Sequence, residues 1–266
     1  MHERVIFGSC PLCDCPKLAD SVTADCSKFP YYDPSINPEM RWKRCTRCGH
    51  VFTEGYFGDA ASRVILSKTH PDQEVGFELQ KQRLVSARII DRVLPYASQG
   101  AWLDVGFGNG SLLFTAQEYG FDAVGIDLRE NNVIMMAALG IPAYRADLTA
   151  LSLDFKCSVV SMADVLEHMP YPKKGLEAAH RLLADDGVLF VSLPNMDSIL
   201  WKAADQSNAN PYWYELEHYH NFTRGRLYSL LQEMGFEPVR YAVSERYHAC
   251  MEVIARKKGD TGASAP

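Results

Sequence analysis

Leu103-Asp104-Val105-Gly106-Phe107-Gly108-Asn109-Gly110 is the stretch that decides the fold. Ala101 to Gly106 reads as a short buried strand running into glycines, and Ser111 to Tyr119 as a helix closed by Gly120. A strand that breaks into a glycine turn and opens a helix lets backbone approach a bound nucleotide closely. Asp127, 21 positions after Gly106, ends the next strand pattern, Ala123 to Asp127, where a carboxylate accepts both hydroxyls of a ribose. A dinucleotide fold shares that spacing, so the third glycine decides. G-x-G-x-x-G needs glycine at 111, which is Ser111; the chain has G-x-G-x-G, with Asp104 two residues before the first glycine. Such an aspartate repels a pyrophosphate and attracts an ammonium.

The alternation continues on the carboxyl side. A helix is expected near Asn131 to Leu139 with Gly140 behind it, and strands at Ala143 to Asp147, Ser158 to Ala163 and Gly187 to Leu193, with a helix from Leu176 to Leu183. Leu227, Leu230, Leu231 and Met234 keep helical spacing, with Thr223 as N-cap, a Phe222 to Leu227 staple and Gly235 as the stop. Strand patterns near Val239 to Val243 and Ala249 to Ala255 close the chain with no long helix between them. The expected fold is α/β, a Rossmann-like doubly wound sheet of seven strands over residues 98–258. Upstream, Phe77, Leu84, Ala87, Ile90 and Leu94 suggest one face of a helix ended by Pro95, within a linking segment at 61–97. Residues 259–266 read as a flexible tail.

Residues 1–60 carry a different signal. Six of the eight cysteines lie in the first 48 residues, and Cys10-Pro-Leu-Cys13 and Cys45-Thr-Arg-Cys48 are two C-x2-C pairs, the second followed by Gly49. Four thiolates satisfy the tetrahedral preference of zinc and leave no open position, so Cys10, Cys13, Cys45 and Cys48 are the expected ligands of a structural zinc. The gap of 31 residues between the pairs is long, and Cys15, Cys26 and His50 are competing ligands. Arg41, Lys43, Arg44 and Arg47 crowd the second pair, either as a patch for phosphate or as compensation for an anionic centre.

Composition narrows the class. With 266 residues, 47% hydrophobic, 23% charged and mean hydropathy -0.17, the chain is of the folded, water-soluble type and not disordered, collagenous or membrane-spanning. The N-terminus shows no secretory pattern, which leads to the expectation of a cytoplasmic protein without a membrane partner. Net charge is -6; residues 1–100 hold 13 Lys and Arg against 12 Asp and Glu, and the remainder 14 against 21. Neither part has the basic excess of a nucleic-acid binder.

These residues resemble the class I S-adenosylmethionine-dependent methyltransferases over about 101–256. The resemblance rests on Leu103 to Gly110, Val124 to Asp127, Ala146-Asp147-Leu148, Val160 to His168 and Leu182 to Asn195. It is narrower for the branch that carries an N-terminal four-cysteine zinc module ending in Cys-x2-Cys-Gly, here followed by Val51-Phe52-Thr53 and Tyr56-Phe57. That branch also has a late Glu-His-x-His-x-Phe-Thr stretch, here Glu217 to Thr223, and includes enzymes acting on sugars and natural products. The resemblance implies that Asp104, Gly106, Phe107, Gly108 and Gly110 hold the methionine portion of S-adenosylmethionine, and Asp127 the ribose beside Leu128. It likewise implies Asp147 for the adenine amino group, Leu148 for the ring, and the Ala163 carbonyl for the ammonium. Phe107 stands where the family often has a small residue or cysteine. Asp104 and Asp147 also read as simple caps or turn residues.

A methyl group on a sulfonium is already activated, so the protein must align an acceptor, exclude water and take up any proton the acceptor loses. His168, two residues before Pro170, and Glu217, His218 and His220 are the candidate bases. His168 equally reads as hydrogen-bonding Glu167 or ordering its loop, and His218 and His220 as orienting a lid. Tyr212, Trp213, Tyr214 and Tyr219 could wall a pocket, form a lid or pack beneath the segment 197–219. The expected activity is methyl transfer to a small-molecule acceptor, a sugar or secondary metabolite, with a histidine base. Methylation of RNA is the second reading and a non-catalytic zinc interaction module the third. Acceptor atom and oligomeric state stay open.

Overall fold

The computed structural model describes residues 2–68, 70–247 and 249–259; positions 260–266 of the expected tail lie outside them. Five short strands open the chain, β1 (Arg4–Ile6), β2 (Leu18–Asp25), β3 (Glu39–Cys45), β4 (Val51–Thr53) and β5 (Gly55–Phe57), followed by α1 (Asp59–Ser67) and α2 (Leu79–Val93). Strands and helices then alternate as β6 (Ala101–Val105), α3 (Ser111–Glu118), β7 (Asp122–Asp127), α4 (Glu130–Ala138), β8 (Ala143–Arg145), β9 (Cys157–Ala163), α5 (Pro172–Leu182) and β10 (Leu183–Pro194). The last part holds α6 (Ile199–Gln206), β11 (His220–Asn221), α7 (Arg224–Glu233), β12 (Phe236–Val243) and β13 (Cys250–Lys257).

The main sheet has seven strands in the order β12-β13-β10-β9-β6-β7-β8. Neighbours from β10 through β8 are parallel, whereas β13 runs antiparallel to both β10 and β12. This is the expected doubly wound α/β architecture. The chain leaves β6 toward β7 and later returns to place β9 on the other side, so a crevice opens at the carboxyl ends of these two strands. Val188 to Leu193 is buried throughout, as a strand covered on both faces must be.

Several boundaries differ from the sequence reading for identifiable reasons. β8 stops at Arg145 because Asp147 caps a one-turn helix, Leu148–Ala150. β10 begins at Leu183, four residues early, and a register irregularity between Leu183 and Val188 absorbs the polar Asp185-Asp186. α2 buries Ser86, Ile89, Ile90 and Val93 while Leu84 faces solvent, so the expected stripe through Leu84 is not its packing face. α6 has no apolar stripe to read, since Ile199 and Leu200 are exposed and Trp201 alone is buried. No described helix is long and apolar enough to cross a membrane.

The cysteine-rich part is joined to the main sheet by more than chain connectivity. Its four-stranded sheet runs β11-β4-β3-β2, so the fourth strand comes from residues 220–221, far downstream. Phe7, Cys10, Leu12 and Phe52 also share one buried cluster with Leu176, Phe222, Leu227 and Leu230.

One packing device sets the glycine turn. A Cβ at Gly125 in β7 would stand 2.6 Å from Phe107 Cδ1 and 2.6 Å from Leu113 Cδ1. Phe107 is therefore able to turn back among Val75, Leu113, Ala123 and Met136, which is how a bulky residue fits between two glycines. Gly125→Ala is expected to cost about 1–3 kcal/mol through overpacking, read as a lower urea midpoint at unchanged slope.

Candidate functional site

Gly106, Gly108 and Gly110 follow β6 with φ of 64°, 51° and 76°, all in the left-handed region. The Gly106 N–H donates to the Ile126 carbonyl at 2.7 Å, pinning the turn to β7. Asp127, at the end of β7, is buried; its Oδ2 accepts from the Gly108 N–H at 3.1 Å and its Oδ1 from the Arg129 N–H at 2.8 Å. Each oxygen still has a lone pair for a ligand hydroxyl. Asp104 is 3% exposed and accepts from Ser161 Oγ at 2.5 Å, while Trp102 Nε1–H donates to the same Oγ at 2.8 Å. Burial pushes the Asp104 carboxyl up to about 7, with the serine hydroxyl opposing. It caps no helix.

Ala163 ends β9 beside this turn, since Val105 lies opposite Met162 in the parallel register. Asp147 is exposed and its Oδ1 accepts from the Thr149 N–H at 2.7 Å and from Thr149 Oγ1 at 2.6 Å, so the cap reading holds for this residue; its other oxygen remains available. Leu148 is buried and Leu128 half exposed. A segment the sequence reading did not place here covers the turn. Gly76 N–H donates to the Asn109 carbonyl at 3.0 Å, Asn109 Nδ2 to the Asp72 carbonyl at 2.9 Å, and Asn132 Nδ2 to the carbonyls of both Gln73 and Gly108. Its single sequence cue is Pro71, which starts a one-turn helix.

On the other side of the crevice lie acids and imidazoles. Asp164, directly after Ala163, has φ 57°, which turns the chain into the short helix Leu166–His168. His168 Nδ1 sits 2.9 Å from the Glu217 carbonyl, so that nitrogen carries the proton and Nε2 keeps its lone pair. The anticipated bond from His168 to Glu167 is absent. His168 and His218 meet edge to face with ring centroids 4.7 Å apart, and burial lowers both imidazoles, His168 to about 4. Glu167 is 0% exposed, neither of its oxygens has a partner, and burial with Asp164 nearby drives its carboxyl well up. Burial also raises Glu217, and raises Glu215 to about 8. Sequence reasoning missed Asp164, Glu215 and Arg246, whose Nη1 lies 3.6 Å from Asp164 Oδ2. Only Asp164, within the quoted Val160 to His168 block, had a signal.

His220 is placed differently from His168 and His218. It is 0% exposed, its Nε2 donates to the Met169 carbonyl at 2.9 Å, and its Nδ1 therefore accepts from His50 Nε2 at 3.0 Å. Both of its nitrogens are bonded inside the protein, where it braces β11 against the Met169 carbonyl and His50. The same bond takes His50 away from the cysteines. Among the aromatic residues, Tyr212 stacks toward His218 at 6.2 Å. Trp213 packs on Trp42 and Trp201, and the Tyr219 hydroxyl accepts from the Phe57 N–H.

Cys10, Cys13, Cys45 and Cys48 place their sulfurs within 4.8 Å of one another, with Cys10 to Cys48 at 3.7 Å and Cys13 to Cys45 at 3.5 Å. A tetrahedral zinc with bonds of about 2.3 Å sets such edges near 3.8 Å. Cys15 and Cys26 stand outside the group, each directed at a backbone carbonyl, Lys17 and Asn37. The basic residues are engaged locally: Arg44 donates to the Gly49 carbonyl, Arg47 to that of Cys13, Lys43 pairs with Asp20 and Arg41 with Glu39. His220→Ala, which orphans His50 and the Met169 carbonyl, is expected to cost about 2–5 kcal/mol, measured by urea unfolding.

A sequence family described as "Methyltransferase domain" matches residues 78–241. No curated protein matches the chain. Among solved structures, the 1,6-didemethyltoxoflavin-N1-methyltransferase of Burkholderia thailandensis is 19% identical with a TM-score of 0.56, covering 79% of this chain and 96% of its own. Magnesium protoporphyrin IX methyltransferase from Synechocystis PCC 6803 is 20% identical with a TM-score of 0.51, covering 68% and 84%. Mitomycin 7-O-methyltransferase is 14% identical with a TM-score of 0.56, covering 75% of this chain and 58% of its own. At these identities the likeness is one of fold.

Proposed function

The chain belongs to the methyltransferase-domain family, and from that membership we propose that it moves a methyl group from S-adenosylmethionine to a small-molecule acceptor. The observation that carries this reading is the buried, hydrogen-bonded Asp104 beside the left-handed glycine turn. Arg246 acts on this buried carboxylate only at a distance, its contact being with Asp164, so Asp104 stays unfavourable as an anion in the free protein and a ligand ammonium relieves it. Asp127 has the open lone pairs a ribose needs, Asp147 a free oxygen for the adenine amino group, and Gly106, Phe107, Gly108, Gly110, Leu128, Leu148 and the Ala163 carbonyl complete the expected lining. S-adenosylmethionine supplies a methyl group already activated on sulfur. The chain's part is to hold donor and acceptor in line, keep water out and receive a proton. His168 Nε2 and His218 are the imidazoles free to do so, with Glu217 beside them.

A small acceptor fits better than RNA. Asp164, Glu167, Glu215 and Glu217 line the acceptor side, and the basic cluster near the cysteines is internally paired. The three enzymes named above act, by their names, on small molecules, which agrees with this choice. In this reading residues 1–60 are a structural zinc module held by Cys10, Cys13, Cys45 and Cys48, residues 61–97 link it and cover the glycine turn, and 98–258 perform the transfer.

Protonated Asp104 attracts an ammonium weakly, so S-adenosylmethionine affinity is expected to rise as pH increases from 6 to 7.5. Asp104→Asn should lower affinity about 10- to 100-fold, the worth of a charge-assisted hydrogen bond, and flatten that profile. Calorimetry checks both, and a pH-independent affinity in the unaltered chain contradicts the assignment. Metal analysis should give one zinc per chain that is lost in Cys45→Ser together with thermal stability; a stable chain without metal contradicts the module.

A further inference from the structure

Glu167, His168 and His218 form a second group of metal-type ligands, with one donor atom from each lying within 4.8 Å of the others. Proximity alone is weak, and the unmet bonding of these side chains adds the weight. Glu167 is 0% exposed with both carboxylate oxygens unpartnered, and His218 is 7% exposed with Nδ1 unpartnered. Buried polar atoms of this kind normally have partners, and three gathered beside a free imidazole nitrogen make a set that one bound cation would satisfy together. His168 gives Nδ1 to the Glu217 carbonyl, which is how a metal-binding imidazole is usually held while its other nitrogen faces the ion.

We infer that Glu167, His168 Nε2 and His218 Nδ1 bind a first-row divalent cation at the acceptor side of the crevice. Bonds of about 2.1 Å set ligand atoms roughly 3–4 Å apart, within reach of small side-chain rotations from the present separation. Two imidazoles and one carboxylate suit iron, manganese, cobalt or zinc better than calcium or magnesium, and three protein ligands leave coordination positions open. The surroundings favour positive charge. Asp164 and Glu215 act on Glu167 as like charges, and Arg246 is the cation that opposes them there. The site differs in kind from the four-cysteine group, whose thiolates fill a closed tetrahedron. Its role, which rests on the methyltransferase reading, is to anchor an oxygen-bearing acceptor opposite the methyl donor; with the ion bound, the lone pairs of His168 and His218 are taken and Glu217, outside the ligand set, receives the acceptor's proton in their place.

The test adds Co2+ to the full chain loaded with a single equivalent of zinc, which the four thiolates take first, and follows the visible spectrum, with calorimetry for stoichiometry. One equivalent should bind with a nitrogen- and oxygen-ligated spectrum and no thiolate charge-transfer band. Glu167→Gln, close in shape, and His218→Ala should each weaken binding by about 10- to 100-fold or more, with far-ultraviolet circular dichroism confirming that both fold. Absence of Co2+ binding in the unaltered chain, or undiminished binding in both folded variants, overturns the site. A thiolate band alone shows exchange at the cysteines and also overturns it. S-adenosylmethionine titrated separately keeps the readings apart: donor binding without Co2+ binding removes the cation site only, and Co2+ binding without donor binding removes the methyltransferase reading and the acceptor role.

Discussion

The pairing of His220 with Phe52 and of Asn221 with Val51 ties the acceptor side of the molecule to its cysteine-rich end. Two residues of strand would be a weak attachment by themselves. They are reinforced by the chain of bonds from His50 through His220 to the Met169 carbonyl and by the burial of Phe52 and Phe222 in the main core. Glu217 and His218 lie three and two residues before this strand, and the Glu217 carbonyl in turn fixes His168. The groups assigned to the acceptor are thus held by the small sheet, whereas Asp104, Asp127 and the glycine turn are held by the large one.

That division gives the cysteine group a mechanical meaning. Cys45 ends β3 and the second cysteine turn leads through His50 into β4, the strand on which β11 rests. Order at the four sulfurs is order at β4, and order at β4 is order at His218. The donor half has no such dependence, because β6 pairs with both β7 and β9 inside the main sheet. The small module acts as a rigid mount for part of the crevice.

The sequence made the donor half legible because its chemistry is local. Asp104, the glycines and Asp127 lie within a strand, turn and strand whose spacing carries the geometry, and the seven-stranded alternation followed from hydrophobic runs. The acceptor half is assembled from distant segments. His168, His218 and His220 looked equivalent as isolated histidines, and only the pairing of β11 with β4 shows that His220 is turned inward. Glu167 drew notice only as a partner for its neighbour, since the burial of a carboxylate is a property of the packed chain. Asp147 carried two sequence readings, and Thr149 shows one of them in use. Phe107 looked like a departure until Gly125, eighteen residues on, explained the space it occupies.

The central claim is that the cysteine module mounts the acceptor segment while the donor turn stands independently. Amide hydrogen exchange compared between the unaltered chain and Cys45→Ser tests it most directly, because local opening is read segment by segment. The account predicts that residues 217–222 lose protection together with β3 and β4, while 101–127 keep theirs. Unchanged protection at 217–222 when β3 and β4 open would contradict it.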